Sequence, residues 1–178
     1  MNNPEEVVDY LKKAALSKDQ INAVLDLGYL KAPASKGHHL AVEGGLAEHS
    51  MRVTNNLLQM GVFKSGPDGR GPSAYRVGML HDLVKCLCYR AKDDGTFEYV
   101  QPPYPGHGIA SVLIASDCGI FFKPEEQAAI VWHMGVFGLG EKEMKEYREA
   151  TRRFPVEVIL THAADHLASV MEEVGGVK

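Results

Sequence analysis

Ser73-Ala74-Tyr75-Arg76-Val77-Gly78-Met79-Leu80-His81-Asp82-Leu83-Val84-Lys85-Cys86-Leu87-Cys88-Tyr89 is the segment on which the fold turns. Val77, Met79, Leu80, Leu83, Val84 and Leu87 point to nearly every side of a 3.6-residue helix, which predicts a helix over about 73–89 at the centre of a bundle. That helix nevertheless carries His81 and Asp82. An ionised carboxylate is costly to bury unless it is paired or coordinates a cation. Lys85, three residues on, offers a salt-bridge partner, and a divalent cation offers the other solution. Successive helical positions differ in direction by about 100°. His81 and Asp82 therefore diverge yet reach two neighbouring points from one turn, and Asp82 is placed to bridge two cations.

The flanking sequence supplies further helices. Asn3-Pro4-Glu5-Glu6 has a capping Asn, Pro in the first turn and acids at the positive dipole end, predicting a helix to about Lys13. Ser17-Lys18-Asp19-Gln20 caps a second, with Ile21, Val24, Leu25 and Leu27 at helical spacing up to Gly28. Pro33 and Gly37 make 31–39 irregular. From about Glu43 to Met60, the residues Leu46, His49, Val53, Leu57 and Met60 fall on one stripe, which puts His49 on a buried face. Turn residues crowd 64–72, a surface loop. Beyond the central helix, the alternating Phe97-Glu98-Tyr99-Val100 predicts one arm of a short hairpin near 96–101, and the prolines of 101–106 a rigid loop. Helices are expected at Gly108–Asp117, Pro124–Met134, the charged Glu141–Arg153 as a solvated helix or lid, and Pro155–Val174 closing the core. The fold class is all-α, a single-domain helical bundle spanning 1–178.

With 178 residues the chain can bury a core without disulfides or structural zinc. A formal net charge of −4 gives no broad positive field for duplex nucleic acid, so a nucleotide or nucleic-acid ligand has to be gripped locally. Cys86, Cys88 and Cys118 are odd in number and contain no C-x-x-C, which reads as reduced, buried thiols. No basic and apolar leader follows Met1, and no apolar run is long enough to cross a bilayer. The expectation is a cytoplasmic protein with no membrane partner.

Taken in order, His49, His81-Asp82, His107, His133 and Asp165 sit on five predicted helices or helix starts. Bundles build metal sites this way, because each ligand is held by the packing of its own helix. Imidazole and carboxylate together suit first-row divalent metals. Any one of these histidines alone is more often a core residue satisfied by a carbonyl; the set, with a buried Asp, is what points to a metal.

The residues Gly44-Gly45-Leu46-Ala47-Glu48-His49-Ser50, His81-Asp82-Leu83-Val84-Lys85 and His162-Ala163-Ala164-Asp165 resemble the HD superfamily of metal-dependent phosphohydrolases, over roughly 36–170. Lys36-Gly37-His38-His39-Leu40 ahead of them resembles the HD domains of bacterial exoribonucleases. The resemblance implies that His49, His81, Asp82 and Asp165 bind one metal, and that His107 and His133 complete a second site bridged by Asp82. The cofactor is then one or two divalent ions: Mn, Fe, Ni, Co, Zn or Mg. Leu83-Val84 departs from the Ile-Gly or similar small residue that many relatives carry there. The Gly-Tyr-Pro signature of cyclic-di-GMP phosphodiesterases is absent.

Such a site implies a metal-activated water attacking a phosphoester, mono- or diester, of a small nucleotide or single-stranded nucleic acid. Asp82 and Lys85 are the catalytic candidates, with Lys36, His38, His39 and Lys85 contacting substrate. His162 and His166 are candidates to orient ligands, and Trp132, Tyr104 and Phe137 to stack a base. An RNA substrate would use Arg52, Arg148, Arg152 and Arg153. The alternative is a non-catalytic HD module that binds a nucleotide or partner as a sensor.

Overall fold

The computed structural model describes residues 3–38, 40–63 and 71–175. Its elements run α1 (Pro4–Lys13), α2 (Lys18–Asp26), α3 (Gly45–Met60), α4 (Pro72–Leu80), α5 (Lys85–Cys88), β1 (Tyr89–Ala91), β2 (Phe97–Tyr99), α6 (His107–Asp117), α7 (Pro124–Val131), α8 (Glu141–Arg153) and α9 (Pro155–Val174). The expected all-α bundle is what forms, with one antiparallel hairpin in which Tyr89 faces Tyr99 and Ala91 faces Phe97. His39 and most of the 64–72 loop lie outside the described residues. Among those described, no helix is long and apolar enough to cross a membrane.

Local sequence explains where the first helices begin. The Asn3 side chain accepts from Glu5 N–H at 3.0 Å. Ser17 and Gln20 form a reciprocal capping box, with contacts of 3.2 and 2.9 Å. The apolar faces they launch meet α3, α6 and the residues around Leu80 and Leu83 in one buried cluster. A second cluster joins the far half of α3 with α4, α7 and α9 through Val53, Leu57, Val77, Ile130 and Ala164. The His49 stripe is buried as expected, except that Met60 at its end is 36% exposed.

The central segment departs from a continuous helix. α4 ends at Leu80, residues 81–84 form a turn, and α5 is a four-residue helix that leads directly into β1. Past His81 the backbone tightens: the N–H groups of Leu83, Lys85, Cys86 and Leu87 each donate to the carbonyl three residues back, the 3₁₀ pattern. The Val84 N–H also donates to Ser111 Oγ of α6 at 3.2 Å. Tertiary contact with α6 thus supports a bend that hydrophobic periodicity cannot register. Similarly, α7 stops at Val131 instead of Met134, leaving His133 in the turn that follows, while α6 starts one residue early, at His107 itself.

Two glycines set how closely the site-bearing helices approach. A Cβ on Gly78 of α4 would meet Thr54 of α3, whose Cα is 2.7 Å away, and a Cβ on Gly108 of α6 would lie 2.7 Å from Val131 Cα. Each sits three residues or fewer from a site histidine. Gly78→Ala is expected to destabilise the protein by about 1–3 kcal/mol through overpacking, read as a lower urea midpoint at unchanged slope.

Candidate metal centre

His49 from α3, His81 and Asp82 from the tightened turn, His107 from the first turn of α6, His133 after α7, and Asp165 from α9 meet inside the bundle. Their imidazoles form a chain, with ring centroids 5.4 Å apart for His49 and His81, 4.9 Å for His81 and His133, and 5.6 Å for His133 and His107. His49, His81 and His133 are fully buried, and Asp82 is 2% exposed.

Each buried imidazole is tethered by its Nδ1. His81 Nδ1 donates to the Gly78 carbonyl at 2.9 Å and His133 Nδ1 to the Ile130 carbonyl at 2.7 Å. His49 Nδ1 donates to the Glu172 carboxylate, at 3.1 and 3.3 Å. In all three the Nε2 faces the aspartates. His49 Nε2 is 3.0 Å from Asp165 Oδ1, and His81 and His133 Nε2 are each 3.3 Å from an Asp82 oxygen. Longer spacings of 3.8 Å join His49 to Asp82 and His81 to Asp165. His107 Nε2 is closest, 2.6 Å from Asp82 Oδ1.

The donor set fits a divalent cation. Ligand atoms each about 2.1 Å from one ion, at tetrahedral or octahedral angles, lie about 3.0–3.4 Å apart, and the His49–Asp165, His81–Asp82 and His133–Asp82 spacings of 3.0, 3.3 and 3.3 Å fall in that range. Among the described residues, His81 Nε2 and His133 Nε2 are buried without a hydrogen bond; they are near enough to Asp82 to pair electrostatically but not aligned to donate. A buried, unsatisfied nitrogen aimed at a carboxylate is what a cation between them would resolve. Three overlapping groups have ligand atoms within 4.8 Å of one another: His49, His81 and Asp82; His81, His133 and Asp165; Asp82, His107 and His133. Asp82 is common to the first and third, as a bridging carboxylate must be.

Charges follow from this crowding. Burial raises Asp82, but Lys85, His81 and His107 outweigh it and hold the carboxyl well below the usual range. Asp165 is likewise depressed: burial raises it, and the His49 hydrogen bond with the nearby imidazoles prevails. Burial keeps the His81 imidazole below its ordinary value. Burial also lowers His49 and His133, yet their carboxylate partners win, raising His133 and taking His49 to about 9. Without metal, a proton on His49 offsets part of the aspartates' charge.

The competing explanation for a buried Asp82 is also realised: Lys85 Nζ sits 2.6 Å from Asp82 Oδ2, and this pairing raises the ammonium despite burial. One ammonium does not balance two carboxylates, and it leaves the imidazole nitrogens unsatisfied. Lys85 therefore accompanies the cluster and does not replace a cation.

Beside the centre lies a cavity of about 190 Å³. Asp82, Lys85 and Asp165 form its floor; Met134, Phe137, His162, His166 and Ser169 form its rim. Lys36 and His38 are exposed and do not line it. Trp132 packs edge-on against Tyr147 of α8, centroids 5.7 Å apart, and the Tyr104 hydroxyl donates to Asp117 at 2.7 Å. Of the three candidate stacking residues only Phe137 borders the cavity. Arg52 is paired with Glu48 and lies 3.7 Å from Glu172, and α8 buries none of its residues.

Glu172 escaped the sequence reading, whereas His162 was among its candidates for orienting the cluster. Glu172 is fully buried behind His49; its signal was its place seven residues after Asp165, two turns along the same helix face. His162 Nδ1 donates to the His133 carbonyl at 2.8 Å, so it positions the backbone of the 132–138 turn.

Residues 46–169 match the HD domain family. A dihydroneopterin 2′,3′-cyclic phosphate phosphodiesterase of Methanocaldococcus jannaschii is 32% identical to this chain over 100 residues, which are 53% of the chain and 39% of that protein. No solved structure matches. The span of the family match, together with the converged His and Asp side chains, settles the relationship: this chain belongs to the HD domain family.

Proposed function

We propose that this protein is a metal-dependent phosphohydrolase acting on a phosphodiester of a small, nucleotide-like molecule. The observation that carries the reading is the convergence of tethered Nε2 atoms on Asp82 and Asp165, in a cluster that opens onto a cavity with Lys85 on its floor. His49, His81, Asp82 and Asp165 would hold one divalent ion, and His107, His133 and the shared Asp82 a second. A metal held by these residues would supply a water of lowered pKa and positive charge for the phosphoryl oxygens.

The chain's own groups do the rest. The Nδ1 tethers fix the tautomers, so that Nε2 is the coordinating nitrogen in each buried ring. The Lys85 ammonium, kept charged by Asp82, lines the cavity beside the cluster and would stabilise charge developing on a phosphate oxygen bound there. A pocket of this size suits one phosphoester with one ring system, below the range of larger ligand sites. The name of the archaeal relative favours a diester, and a cyclic one.

The test is to strip the purified protein with a chelator, reload it with single divalent metals, measure bound metal, and assay nucleoside 2′,3′-cyclic phosphates, nucleoside monophosphates and short RNA. The expected result is chelator-sensitive, metal-restored hydrolysis of the cyclic diester, with bound metal tracking activity. Metal-loaded protein that binds these compounds but hydrolyses none would overturn the reading in favour of a sensor module.

A further inference from the structure

Resting on the phosphohydrolase reading, we propose that the turn 132–138 and the adjacent face of α9 form a stacking subsite, in which Phe137 takes the face of a planar heteroaromatic ring carried by the substrate. Phe137 is 74% exposed, and Met134 beside it 47%. A single exposed apolar side chain needs no explanation. These two share a rim with His162 and His166 over the same cavity whose floor holds Asp82, Lys85 and Asp165, and that coincidence does need one.

The phenyl group is held out by its backbone. Gly135 and Gly138 have φ of +68° and +75° and bracket Phe137, a conformation that glycine adopts readily and other residues resist. The Gly135 backbone presses on the His162 imidazole, where an added Cβ would lie 2.8 Å from Cε1. His162 in turn is anchored to the His133 carbonyl. The turn is thus built onto a residue of the metal cluster, and the position of Phe137 is tied to the position of His133.

The rings also say how a ligand would sit. Phe137 and His162 centroids are 6.4 Å apart with planes inclined by 52°, too close for an inserted ring that needs about 3.5 Å on each face. The ligand ring therefore lies across the open face of Phe137. His166, stacked on His162 at 6.2 Å and 17°, continues the aromatic rim one turn along α9. A rim made of ring faces and a thioether reads a base by its surface more than by its edge, so it favours any flat heteroaromatic ring over none and discriminates weakly between bases.

Phe137→Leu keeps apolar bulk and removes the ring. Metal-loaded wild type and Phe137→Leu should be compared on adenosine 2′,3′-cyclic phosphate and on glycerol 1,2-cyclic phosphate, which has the same reacting group and no aromatic base, with bound metal measured in both proteins. The expected result is a fall of roughly 5- to 100-fold in the preference for the base-bearing ester, carried by KM, at equal metal content. An unchanged preference overturns the proposal. Equilibrium dialysis of adenosine 3′-monophosphate separates this from failure of the hydrolase reading. If wild type binds it more tightly than Phe137→Leu yet hydrolyses neither ester, the subsite stands and the catalytic reading falls. Equal binding by both proteins sinks the subsite whatever the turnover.

Discussion

Asp82→Ala is expected to yield protein without bound divalent metal and without turnover. Asp82 is the carboxylate shared by the two outer ligand groups, so its loss removes a ligand from both at once and leaves Asp165 to serve alone among the acids of the three groups. The variant also strands Lys85, whose side chain is 11% exposed and paired at 2.6 Å. Removing one member of a buried pair costs about 3–5 kcal/mol, so Asp82→Ala is expected to have a lower melting temperature. Asp82→Asn keeps the shape and a hydrogen-bonding oxygen but not the charge, and separates the two effects: its fold should survive where its metal does not. Metal analysis beside far-UV circular dichroism reads both. Full metal content in either variant would contradict the proposed ligand set.

The second large effect is expected at Glu172, which touches no substrate. Its carboxylate receives His49 Nδ1–H and lies near Arg52, so it fixes which nitrogen of His49 is presented to the centre. Outer partners of this kind typically contribute about 10- to 100-fold in metal affinity, and Glu172→Gln is expected to lose metal towards the low end of that range, Glu172→Ala towards the high end. The variants also carry a pH signature. In the metal-free protein burial lowers His49, but hydrogen bonds to Asp165 and Glu172 raise it from an ordinary 6.5 to about 9. A raised histidine stabilises the fold fully below the unfolded value, and that contribution is lost as pH climbs through the folded one. Metal-free wild type should therefore lose stability between about pH 6.5 and 9, and Glu172→Gln should flatten that slope. Urea midpoints across the window measure it; a slope equal in both proteins would mean Glu172 does not hold the His49 proton.

Much of the bundle was legible because its signals are local. The Asn3 and Ser17 caps act within three residues, and the burial of Leu46, His49, Val53 and Leu57 follows from helical spacing alone. Residue type marked the six cluster members, since imidazoles and a carboxylate have no cheap place in an apolar core. Glu172 was legible in principle by its phase with Asp165, yet an acid near the end of a helix also reads as a solvated one. The interruption after Leu80 had no local signal at all: its apolar pattern is that of a helix, and the Val84 N–H finds its partner 27 residues away on Ser111.

By itself, then, the sequence determined an all-helical chain with His49, His81, Asp82, His107, His133 and Asp165 as the residues to watch, because periodicity and side-chain chemistry are properties of short stretches. Only the tertiary structure decided that Lys85 and the imidazoles share Asp82, that Glu172 and His162 stand behind the cluster, and that Phe137 instead of Trp132 or Tyr104 overlooks the cavity. Those outcomes depend on helix separations set by close contacts such as Gly78 against Thr54, and on hydrogen bonds spanning up to 123 residues, which exist only once the chain has packed.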